Sequence, residues 1–189
     1  MTGGKIYTGL IPSSEPNEAV MASGAGVIRP RTSNKCVSIR RMNFGCTNKG
    51  VGSLANLPVP CRLSLTALDQ SGKRGQTITY EYEPALDPNL DLAKMELTVK
   101  APMRKVVDIY RDFDKPASEG YELSVTIGVS VPGISTVFSL VPKFLNFLAT
   151  PLLQFYRKVT RSELSDATIG LLFDDLAYKI VDCGTAGSA

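Results

Sequence analysis

The chain of 189 residues contains neither histidine nor tryptophan. Without histidine there is no side chain that ordinarily titrates near neutral pH, and Ser-His and Cys-His activation of a nucleophile are excluded. Lysine could stand in as a base, but no Ser-x-x-Lys occurs. The nearest approach to a nucleophile elbow, Gly128-Val129-Ser130-Val131-Pro132, lacks its closing glycine. Walker A and GxGxxG loops are missing too, and Gly24-Ala25-Gly26 and Gly50-Val51-Gly52 have no strand and helix around them to cradle phosphate. The carboxylates Asp108, Asp112 and Asp114, and the pair Asp174 and Asp175, remain as acid-base groups. Arg104, Lys105, Arg111 and Lys115 interleave with the first cluster, the pattern of a solvated, salt-bridged surface. The expectation is therefore a protein that is not an enzyme and carries no cofactor.

The four cysteines, Cys36, Cys46, Cys61 and Cys183, show no CxxC spacing, and no histidine can complete a zinc site, so no metal is expected. Met1 to Lys5 leads into a polar stretch with no apolar signal segment. The cysteines then read as reduced, buried thiols, and the location as the cytoplasm or nucleus, not the secretory route.

Apolar residues at 43% and charged residues at 21% are globular values. Residues 1–34 are rich in Ser, Pro and Gly without sustained periodicity and read as a flexible N-terminal arm. Residues 35–183 read as one domain, and 184–189 as a frayed tail. Within the domain, Lys35–Phe44 has β character. Cys61, Leu63, Leu65 and Ala67 alternate with polar residues, a turn follows at Asp69–Gly75, and Ile78, Tyr80 and Tyr82 alternate again, which predicts a hairpin. Met95, Leu97 and Val99 give another strand, and the run from Tyr121 to Val131 gives the longest.

Helical spacing is read in three places. Met103, Val106, Val107, Tyr110 and Phe113 share one face after Pro102; Leu152, Tyr156 and Val159 follow Pro151; and Ile169, Leu172, Phe173, Leu176 and Ile180 follow a capping Ser165. The predicted fold class is α+β: an antiparallel sheet of about five strands, one interposed helix and a helical C-terminal third, preceded by the arm.

Two features stand out. From Ala19 to Leu68 there are seven basic residues and no acidic one, whereas the chain from Asp69 onward carries 13 basic and 16 acidic residues. Arg29, Arg31, Lys35, Arg40, Arg41 and Lys49 are the candidate contacts to an anionic surface, lipid or nucleic acid. The second is the run from Pro132 to Leu153, whose only charge is Lys143. Pro142 and Pro151 interrupt it, so it is not a membrane-spanning helix. Val137, Phe138, Leu140, Val141, Phe144, Leu145, Phe147 and Leu148 are either a buried core connection or a protrusion for self-association or membrane contact.

The basic stretch Arg29 to Arg41, the passage from Met95 to Tyr110 read as strand-to-helix, and the apolar segment 132–153 together resemble, in organisation, the small matrix proteins of rhabdoviruses, especially the shorter plant-virus forms. That resemblance implies a viral structural protein, present in the virion, that self-associates and bridges anionic membrane and nucleocapsid. The chain departs from the animal-virus members in having no PPxY or PTAP motif and no lysine-rich N-terminus. The alternatives are a viral coat or movement protein that binds nucleic acid through the basic arm, and a small-ligand-binding α+β module. A coat protein of jelly-roll type needs about eight strands.

Overall fold

The computed structural model describes residues 7–8, 10–12, 19–21, 25–32, 34–49, 56–128, 132, 139, 141–161 and 169–183. Twelve strands occur among them: β1 (Tyr7–Thr8), β2 (Leu10–Pro12), β3 (Ala19–Met21), β4 (Ala25–Ile28), β5 (Lys35–Asn48), β6 (Cys61–Leu68), β7 (Arg74–Tyr82), β8 (Asp87–Asp91), β9 (Glu96–Lys100), β10 (Arg104–Val107), β11 (Gly120–Ile127) and β12 (Ile169–Asp182). The one α-helix among them, α1, is Asn146–Thr160. The strands form two five-stranded antiparallel sheets, β1-β4-β11-β6-β7 and β10-β5-β12-β3-β2, with β8 and β9 paired as a separate hairpin.

Leaving aside the edge strands β1 and β2 and the β8–β9 hairpin, eight strands remain. In chain order the first (β3) lies beside the last (β12), the last beside the third (β5), and the third beside the sixth (β10). In the other sheet the second (β4) lies beside the seventh (β11), the seventh beside the fourth (β6), and the fourth beside the fifth (β7). This is the double-sheet jelly roll. The hairpin is inserted between its fifth and sixth strands, and α1 between its seventh and eighth.

The predicted α+β class is thus corrected to a mostly β protein with a single helix among the described residues. The helical reading of the last segment rests on Ile169, Leu172, Phe173, Leu176 and Ile180, which fall at helical intervals. In the structure β12 has Ile169, Leu171 and Phe173 buried, and its register against β5 then slips twice between Asp174 and Tyr178. Asp175 has φ 54° within this bulge. The extra residue changes the phase of the alternation, so the partly buried Leu176 and Tyr178 come into line with the core. A period of two broken once by a bulge imitates a period near 3.6 over this length. Arg40, opposite the bulge, is skipped in the ladder between the pairs Ala177–Arg41 and Tyr178–Ile39.

The helix expected after Pro102 is likewise replaced by β10, in which Val106 is buried and Val107 is exposed. Asp108 at φ 55° ends that strand, and a short 3-10 turn, Ile109–Arg111, buries Ile109. The helix after Pro151 is present as α1 but begins at Asn146, so Pro151 sits in its second turn. In the stretch before Lys35, the described strands β1 to β4 are hydrogen-bonded into the two sheets. These strands are too short to carry a legible alternation. Ser165 and the tail 184–189 lie outside the described residues.

The facing strands enclose one core. Val37, Ile39, Met42 and Phe44 of β5 meet Leu63 and Leu65 of β6 and Tyr121 and Leu123 of β11. The apolar face of α1, Leu152, Phe155, Tyr156 and Val159, joins this core, and the Tyr156 hydroxyl donates to the Pro58 carbonyl at 3.1 Å. On the outer face of the β6–β7 hairpin the polar residues pair across the strands: Arg62 with Glu81 at 3.0 Å, Ser64 with Thr79 at 3.1 Å and Thr66 with Thr77 at 2.8 Å.

Burial of the tyrosines has a measurable consequence. It pushes the Tyr82 and Tyr121 hydroxyls up to about 12, and raises those of Tyr80 and Tyr156 as well. A phenol whose folded pKa is raised contributes stability that is complete below the unfolded value, about 10, and is lost as pH rises toward the folded one. A tenfold difference in proton affinity between the folded and unfolded chain is worth ~1.4 kcal/mol. An alkaline titration followed by tyrosinate absorbance and strand circular dichroism is expected to show these four ionising together with unfolding. Ionisation of all four near pH 10 with the strand signal intact would contradict the packing described.

Candidate functional site

A cleft of about 440 Å³ that carries several charged side chains lies at one end of the two sheets. One wall is the β6–β7 turn. Asp69 shapes that turn by accepting from the Ser71 hydroxyl at 2.6 Å and the Lys73 backbone N–H at 2.8 Å. These hydrogen bonds hold its carboxyl below the usual range, and Gly72 supplies the φ of +82° that the turn requires. The other wall is the segment from Phe113 to Glu119. The floor holds Cys36 and Cys183.

Backbone pairing brings these groups together. Val37 and Ser118 exchange both backbone hydrogen bonds, at 2.7 and 2.9 Å, which places Glu119 beside Cys36. Cys36 pairs in register with Val181, so Cys183 arrives just past the end of β12, where its N–H donates to the Asn34 carbonyl at 3.3 Å. The Ser118 hydroxyl donates to the Leu68 carbonyl at 2.8 Å and ties this segment to the turn. Gly120 follows immediately, and a Cβ there would lie 2.6 Å from Cγ of Arg29 and 3.2 Å from the Ile28 carbonyl.

One Glu119 oxygen, Oε2, is buried without a hydrogen-bond partner, and a ligand atom from each of Cys36, Glu119 and Cys183 lies within 4.8 Å of the others. Around them the cleft carries Lys73, Arg74 and Lys115 against Asp69 and Asp114. Arg74 is engaged by Glu122 of β11 through two hydrogen bonds, at 2.7 and 2.6 Å, which also hold its guanidinium above the usual value.

All four cysteines are paired, correcting the expectation of reduced thiols. Cys46 of β5 is bonded to Cys61 of β6, linking the two sheets with Cα atoms 6.2 Å apart. Cys36 is bonded to Cys183 with Cα atoms 5.0 Å apart. Neither pairing follows from spacing, because each depends on strand register.

The basic residues singled out from the sequence do not form one free patch. Lys35 is paired with Asp182 at 2.5 Å and Arg41 with Asp175 at 3.0 Å. The Arg40 guanidinium stacks 4.0 Å from the centroid of Tyr110. Arg29 lies against Gly120 and Gly72. Arg31 and Lys49 are exposed, Lys49 beside Gly170.

The apolar run divides as well. Val141 and Leu145 are buried and Leu148 packs against the core, whereas Phe147 is 60% exposed. Phe144 lies in the 3-10 turn Lys143–Leu145 that leads into α1. Val137, Phe138 and Leu140 lie outside the described residues. Among those described, no helix is long and apolar enough to cross a membrane.

Sequence reasoning passed over Glu119, Arg74 and Lys115 as site residues. The signal that could have raised them was the turn Asp69–Gly75 together with a second polar loop just before the strand that begins at Gly120. No known protein family, curated protein or solved structure matches this chain.

Proposed function

We propose that the chain is a non-enzymatic structural protein of the viral coat type, which assembles with copies of itself around nucleic acid. The observation that carries this reading is the strand order, since the double-sheet jelly roll is an architecture of viral capsid domains. Lectins and cupins share that architecture, so the fold alone does not choose among them.

Two further observations favour assembly. Large apolar side chains stand exposed at separate points of the surface: Leu92 and Met95 at the tip of the β8–β9 hairpin, Val107 on the edge strand β10, and Phe147 at the start of α1. Paired cysteines also suit the oxidising surroundings of a virion outside its host cell. A matrix-type role has less support, because the passage from Met95 to Tyr110 that carried the likeness is strand, strand and 3-10 turn.

The test is sedimentation and electron microscopy of the purified chain, with and without single-stranded RNA, across salt. Multi-subunit particles are expected as concentration rises. Phe147→Asp is expected to move their onset to concentrations at least ~10-fold higher, since burying one phenyl ring at a contact contributes about 1.5–3 kcal/mol. A wild-type chain that stays monomeric under every condition would overturn the proposal. So would assembly indifferent to both Phe147→Asp and Leu92→Asp.

A further inference from the structure

We infer that Cys36, Cys183 and Glu119 form a binding site for a thiophilic divalent cation, of which zinc is the best match, available when the Cys36–Cys183 bond is reduced. The donors are the two sulfurs and one carboxylate oxygen that meet within 4.8 Å at the floor of the cleft. Two thiolates and a carboxylate are a zinc-type donor set, and the open side of the cleft leaves the fourth tetrahedral position to water.

One feature points to a ligand there, and a second keeps the donors together. Glu119 Oε2 is buried and unpartnered, although Lys73, Arg74 and Lys115 line the same cleft. A carboxylate oxygen in that position ordinarily finds a donor or a cation. The donors are also held by backbone pairing that does not depend on the sulfur–sulfur bond. The Val37–Ser118 bridge holds Glu119 beside Cys36, and the β5–β12 ladder, continued by the Cys183 N–H donating to the Asn34 carbonyl, brings Cys183 to the same place. Breaking the bond therefore leaves the three groups in place.

The chemistry balances with an external thiol or phosphine as reductant. With a thiol, two reductant molecules give two electrons and two protons, the Cys36–Cys183 bond breaks, two S–H groups form, and the reductant leaves as its own disulfide. With a phosphine, water supplies the protons and the oxygen that ends on phosphorus. The cation then displaces both thiol protons to solvent. Bond and cation use the same two sulfurs, so they exclude one another, and the site is set by the redox state of its surroundings. This inference does not rest on the coat-type reading, and its test reads neither assembly nor nucleic acid.

The experiment uses the full chain reduced with a phosphine, loaded with Zn2+ or Co2+, freed of excess metal and assayed for bound metal. Strand circular dichroism is recorded on the same samples. One equivalent of Zn2+ is expected for the reduced protein and none for the oxidised one. The Co2+ form should show sulfur-to-cobalt charge-transfer absorption. Cys183→Ser is expected to abolish binding, and Glu119→Gln to weaken it about 10-fold or more, since even groups behind the ligands count on that scale. Cys46→Ala/Cys61→Ala is expected to bind as wild type does, which separates the two cysteine pairs. Failure of the reduced wild type to hold zinc would overturn the site. Binding as tight in Glu119→Gln as in wild type, or binding only by a chain that has lost its strand signal, would overturn it equally.

Discussion

Replacing Cys36 and Cys183 together by alanine is expected to lower the free energy of unfolding by about 5 kcal/mol. The two sulfurs are 147 residues apart in sequence, and a cross-link that closes so long a loop removes much of the freedom of the unfolded chain. Loop-closure entropy puts this near 5 kcal/mol, against about 3 kcal/mol for a loop of the 15 residues separating Cys46 and Cys61. A domain of this kind is stable by only about 5–15 kcal/mol, so the loss is a third of the total or more. Because the effect acts through the unfolded state, its signature in a urea titration is specific. The midpoint falls and the slope m rises, since the released chain exposes more surface on unfolding. A midpoint shifted by less than ~1 kcal/mol equivalent with an unchanged slope would show that the bond contributes little beyond local contact.

Phe44→Ala is expected to cost about 3–5 kcal/mol by a different route. Phe44 is fully buried in β5, its ring centroid 6.1 Å from that of Tyr82 on the opposite sheet. Removing the ring deletes apolar burial and leaves a cavity between two layers whose backbones are fixed by their ladders, so collapse is limited. Here the urea midpoint should fall with the slope unchanged, the opposite pattern in m to that of the cysteine pair. A loss under ~1.5 kcal/mol would mean that the sheets close over the gap.

Leu63, Leu65, Tyr121 and Leu123 were legible as core because they alternate cleanly along strands, whereas β5, which carries Phe44, buries runs of consecutive residues and showed only β character. The β6–β7 hairpin was legible because its turn residues announce it. The last strand was not, since one bulge near Asp175 gives its apolar residues helical spacing. The cysteine pairs were not legible either. Proximity of Cys36 to Cys183 depends on a pairing register that no local pattern specifies, and Glu119 enters the cleft only through the Val37–Ser118 bridge. Of the basic residues, the sequence announced the charge but not its neutralisation, because Asp182 and Asp175 are brought to Lys35 and Arg41 from the far end of the chain.

The position of β12 bears on how the polypeptide reaches this state during synthesis. Its neighbours are β5 on one side and β3 on the other, so an entire sheet lacks its central member until β12 leaves the ribosome. Up to that point β3 and β5 each present an unsatisfied edge, while the facing sheet from β4 to β11 already has all its strands. Translation therefore passes through a stage in which half of the sandwich is formed and the other half offers open backbone to any neighbour. Nascent chains of this protein should be most prone to wrong strand pairing after β11 has emerged and before β12 has.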